Sequence, residues 1–105
     1  LPLAENLLLP PPAPIAPRFR ILDEFRAKCD KLEAEGNFGA LQDLYDRKDN
    51  KAAAITSNLV AFDKQGVVNE EWFEERDRIQ RVLDVVEAER DYASDAAHSA
   101  WEAKS

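Results

Sequence analysis

The stretch Asn37–Phe62, NFGALQDLYDRKDNKAAAITSNLVAF, decides the fold. Its apolar residues Phe38, Leu41, Tyr45, Ala52, Ile55, Leu59 and Phe62 recur in alternating three- and four-residue steps, which places them on one face of an α-helix. Lys48 is the single interruption of that stripe. The charged run Asp46–Lys51 around it could divide the segment, but the stripe keeps its phase across the run, which predicts one continuous helix over 38–63. Asn37 offers a side-chain acceptor at the start, and Gly66 a stop beyond the end.

The same periodicity extends in both directions. Upstream, Phe19, Leu22, Phe25, Cys29 and Leu32 share a face, with Pro17 at the first turn and Gly36 at the exit, so a helix is expected over 18–35. Downstream, Asn69 precedes Glu70 and Glu71, which put negative charge where the helix dipole favours it. Trp72, Ile79, Leu83 and Val86 then form a seam, widened by Val82 and Val85. No Gly or Pro follows Gly66, so the third helix is expected over 70–101, about 50 Å long. Past Tyr92 its face turns small, with Ala93, Ala96, Ala97 and Ala100. The expected fold is all-α: a three-helix up-down-up bundle with a long third helix, whose last third from about Tyr92 should overhang the shorter first helix.

Residues 1–17 form a separate, extended, Pro-rich N-terminal arm. Pro10, Pro11, Pro12, Pro14 and Pro17 remove backbone donors and fix φ, which excludes a helix or a central strand and favours polyproline II. The remainder is apolar, with Leu1, Leu3, Leu7, Leu8, Leu9 and Ile15 against the lone charge of Glu5. Two readings stand side by side: a tail lying across its own bundle, or an arm lying across a partner. The chain opens at Leu1 and holds no Met, so the expectation is a mature chain whose presequence has been removed.

Composition narrows the function. The chain of 105 residues carries 14 Lys+Arg against 21 Asp+Glu, a net charge of −7 that disfavours phosphate backbones and anionic membrane surfaces. Residues 67–105 hold eleven acidic and five basic residues, so nearly all the acidity belongs to the third helix. Its carboxylates, Glu70, Glu71, Glu74, Glu75, Asp77, Asp84, Glu87, Glu89, Asp91 and Asp95, read as a solvated face with internal pairs such as Glu74–Arg78 and Asp77–Arg81, or as a surface for a basic partner.

The chemistry-bearing residues are few. One Cys and one His cannot build a Cys/His metal cluster, and Cys29 on an apolar stripe reads as a core thiol. His98 lies on the Ala-rich end with Asp95 one turn before it, and reads as a surface histidine. A di-iron site would need Glu-x-x-His on two helices. A calcium loop set on Gly66 would begin at Ala61 and end at Trp72, so both end ligands fail. No catalytic, cofactor-binding or metal residue is expected. Trp72 and Phe73, being adjacent, point in different directions, one into the core and one outward. The expected partner-binding residues are Leu3, Leu7, Leu8, Leu9 and Ile15 of the arm, with Tyr92 and Trp101 as aromatic anchors.

These features point to a non-catalytic accessory subunit that docks on a larger protein complex through its arm and long helix. The segment FGALQDLYDRK of residues 38–48, followed by AITSNLVA of residues 54–61, behind a Pro-rich arm, resembles the helix pair of the Q-type oxygen-evolving enhancer family, the lumenal extrinsic subunits of photosystems. The resemblance implies protein partners at the edge of an organellar membrane complex, peripheral to it, in the thylakoid lumen. The competing reading is a free-standing acidic helical module or inhibitor that occupies a basic groove.

Overall fold

The computed structural model describes residues 17–66 and 69–104, with side chains from residue 22 onward, and these residues form three α-helices and no strand. α1 spans Pro17–Ala34, α2 Phe38–Asp63 and α3 Glu70–Lys104. α2 passes through Asp46–Lys51 unbroken, as the phase of its stripe requires. α3 continues three residues past the expected end at 101. The arm, and with it Leu3, Leu7, Leu8, Leu9 and Ile15, lies outside the described residues.

The helix ends follow the local chemistry. Gly36 takes φ +68°, and its N–H donates to the Glu33 carbonyl while the Asn37 N–H donates to Leu32, both at 2.9 Å. This pair of reverse bonds satisfies carbonyls that the end of α1 would leave open. The Asn37 side chain accepts from the Ala40 N–H at 3.1 Å, and Asn69 accepts from Trp72 at 2.8 Å. Each Asn thus serves one of the orphan donors of a helix start.

α2 and α3 form an antiparallel hairpin along their whole length. The Phe38 and Trp101 rings meet at 5.2 Å, Asp49 faces Arg90 at 3.7 Å, and Asp63 accepts from Arg76 at 2.8 Å. α1 packs on one end of this hairpin. The core accordingly divides in two. Cys29, Leu41, Ala93, Ala96, Ala97 and Ala100 form a cluster drawn from all three helices, with Phe25, Leu32 and Tyr45 against it. Ala52, Leu59, Leu83 and Val86, flanked by Ile55 and Ile79, form a second cluster drawn from α2 and α3 alone.

The expected overhang is at the wrong end. The last third of α3 is the most covered part of the helix: its small alanines let α1 approach closely, and Ala93 and Ala100 are fully buried. The open stretch is instead the first half of α3, roughly residues 70–89, together with the second half of α2. Connectivity is the reason. Three residues join α1 to the start of α2, and the start of α2 lies against the end of α3, so α1 must cover that end. No helix among the described residues is long and apolar enough to cross a membrane.

Two glycines separate backbone conformation from packing. A Cβ on Gly66 would meet nothing within 4 Å, yet its φ is +70°. Gly66→Ala should therefore lose about 1 kcal/mol from strain alone. Gly39 is helical and equally unobstructed. Gly39→Ala should gain about 0.5 kcal/mol. Urea denaturation of both variants checks the opposite signs.

Candidate functional site

The open half of the hairpin carries a groove of about 370 Å³ between α2 and α3. Val82, Val85 and Val86 line it from α3, with Arg78 and Arg81 on its edge. Lys48 and Lys51 border it from α2. A shallower depression continues the apolar surface through Ile79 and Ile55. Val82, 46% exposed, lies in both, so a residue expected to widen the α3 seam is part of a surface, whereas Leu83 and Val86 of the seam itself are buried. Phe73 and Val60 add exposed apolar surface toward the hairpin tip.

A buried ion pair closes the groove at the three-helix end. Lys48 Nζ lies 3.0 Å from Glu89 Oε1, and Glu89 is only 3% exposed. The same ammonium stands 5.1 Å from the centre of the Phe25 ring. Glu89 was expected on the solvated acidic face, and the structure removes it from there. It is buried because its position on α3 faces the α2 stripe at the one point where that stripe is charged. The missed signal was Lys48 itself: a cation on an otherwise apolar stripe calls for an anion across the helix contact, since an unpaired buried charge is costly.

Among the other carboxylates of α3, Glu75, Asp77, Asp84 and Asp91 bond residues of their own helix. Arg81 pairs with Asp77, as expected, whereas Arg78 pairs with Glu75 and not with Glu74. Trp72 stacks on Phe62 with ring centres 5.3 Å apart, while Phe73 is 56% exposed, which matches the expected division between these neighbours.

The two described residues expected as partner anchors both lie at the three-helix end. Tyr92 is half-buried; its hydroxyl donates to Asp30 Oδ1 at 2.5 Å, and the Arg26 guanidinium lies 5.5 Å from its ring centre. It thus ties α1 to α3. Trp101, 56% exposed, leans on Phe38 and lines an open depression with Gln42, Ser94 and His98. His98 Nε2 is 3.2 Å from Glu102 Oε2 on the exposed surface. Cys29 is fully buried, and no group of three or more His, Cys, Asp or Glu among the described residues could hold a metal ion. No protein-family model, curated protein or solved structure matches this chain.

The ion pair and the two raised acids generate predictions. Lys48→Met leaves Glu89 buried without its partner. Because Lys48 keeps 22% of its side chain in solvent, the loss should be about 2–3 kcal/mol, below that of a fully buried pair. Lys48→Met combined with Glu89→Leu should recover most of it, as chemical denaturation would show.

Burial, and then the Asp30 carboxylate, push the Cys29 thiol above its ordinary 9.0. The hydrogen bond to Asp30 raises the Tyr92 phenol above 10.0. Folding favours the protonated form of both, so the stability they contribute is complete below the unfolded values and is lost as pH rises through the folded ones. The urea midpoint should fall from about pH 9 upward, and fall less steeply in Tyr92→Phe.

Proposed function

We propose that this chain is a non-catalytic accessory subunit that docks on a larger protein complex through its long third helix and apolar N-terminal segment. An up-down-up bundle with an extended Pro-rich arm is the scaffold on which this reading stands. The observation that carries it is the open half of the hairpin, where Val82 and Phe73 leave exposed apolar surface on a helix otherwise rich in charge. Such surface gains about 25 cal/mol per Å² when covered, which favours association. The finer form of the proposal, an extrinsic subunit of a photosystem-like membrane complex in a thylakoid lumen, draws its support from the Phe38–Ala61 resemblance.

An acidic module for a basic groove is the second reading, favoured by exposed Glu70, Glu71 and Glu74 at the start of α3. Pairing of Glu75 and Asp77 with neighbouring arginines lowers the field available to a basic partner. Native-size separation of the tagged full chain from its own host distinguishes the two. Val82→Asp should reduce incorporation into a heavier complex by about tenfold or more, with Glu70→Gln/Glu71→Gln/Glu74→Gln incorporated normally. The reverse pattern overturns the accessory-subunit reading in favour of the acidic module.

A further inference from the structure

We infer that the docking partner enters the α2–α3 groove with an amphipathic helix, whose apolar face covers Val82 and Val85 and whose edge sets an Asp or Glu against Lys51. This rests on the docking proposed above and names the chemistry of the partner there.

Charge gives the first half of the argument. The chain has a net charge of −7, yet the walls of this groove carry Lys48, Lys51, Arg78 and Arg81 against the carboxylate of Glu89. Three of these cations are already answered: Lys48 by Glu89, Arg78 by Glu75 and Arg81 by Asp77. Lys51 is exposed on the α2 edge, and among the described residues no carboxylate lies within ion-pair distance of it. Its own helix offers none, because Arg47, Lys48, Ala54 and Ile55 occupy the positions three and four residues away. In water such a lysine needs no partner. At the rim of an apolar surface it loses water when that surface is covered, and an opposing carboxylate then offsets the loss.

The walls give the second half. They are side chains of two antiparallel helices, whose backbone groups are bonded within each helix. An extended segment laid between them would bury N–H and C=O groups with nothing to bond, whereas a helix satisfies its own. Val82 and Val85, three residues apart on α3, form a ridge on which a third helix seats residues at i, i+3, i+4 and i+7. Phe25 against Lys48 closes the groove at one end, and α2 stops at Asp63 at the other. From Lys51 to Asp63 α2 runs about 18 Å, room for about three turns of partner helix. The acidic residue belongs at the end of that helix nearest the three-helix half.

Native-size separation of the tagged full chain from its own host, followed by carbodiimide coupling of the heavier complex, tests this. Carbodiimide joins the Lys51 amine only to a carboxylate in direct contact, and mass spectrometry of the digest reads the linked residue. Lys51 should be linked to an Asp or Glu of another protein, with apolar residues three or four positions away. Lys51→Glu should reduce incorporation about tenfold or more, while Lys51→Arg incorporates normally. The exchanged carboxylate lies one turn from Arg47 and Lys48, so the urea midpoint of Lys51→Glu should not fall. Coupling on the unaltered chain depends on neither variant. Normal incorporation of Lys51→Glu beside loss for Val82→Asp overturns this inference and leaves the docking standing. So does a heavier complex in which Lys51 is linked to no other protein, or to a carboxylate outside such a spacing. Linkage to a carboxylate of this same sequence also overturns it, since that seats a second copy on the groove. Normal incorporation of Val82→Asp removes the docking itself, and this inference with it.

Discussion

An 18-residue helix cannot cover a 35-residue one, and the short turn at Gly36 dictates which part it covers. Everything else in this molecule follows from that constraint. α2 is long enough to pair with α3 from Phe38–Trp101 to Asp63–Arg76, so the hairpin is continuous. α1 adds a third layer only at the closed end, where alanines on α3 leave room for it. The other end is a two-helix layer. A two-helix layer cannot enclose the apolar stripes of both members, and Val82 remains exposed and Ile79 half-buried as a result.

The Lys48–Glu89 pair marks the boundary between the two halves. On the closed side lie Cys29, Leu41 and the alanine face; on the open side lie the valines of α3. A charged pair at this point costs desolvation, and an apolar pair of similar size would serve stability as well or better. What the pair supplies is register. Sliding α2 against α3 by one turn would bury each charge against an apolar neighbour, so the ion pair penalises misalignment of two long stripes that hydrophobic contact alone would leave loosely specified. Tyr92 and Asp30 join α1 to α3 through a single hydrogen bond.

Much of this was legible from spacing and punctuation. The stripe of α2, the Asn37 and Asn69 caps and the glycine stops at 36 and 66 are properties of local sequence, and all three helices fall where these place them. Cys29 in the core and the split of Trp72 and Phe73 were legible for the same reason. The site was not. Glu89 looks like any other carboxylate in an acidic helix until α2 is laid against it. Val82, Val85 and Ile79 look like core until the length of α1 and its point of attachment are known together.

The sequence by itself determined the helices, their capped ends and the acidity of α3, because each depends on neighbours within a few residues. Only the tertiary structure decided which half of the hairpin is closed, that Tyr92 ties helices together on a covered end, and that an apolar groove stands open beside a buried ion pair. Those outcomes depend on which residues meet across helices some forty to sixty positions apart. Helical period carries no record of that meeting, because it fixes the face each residue occupies and leaves open what lies opposite.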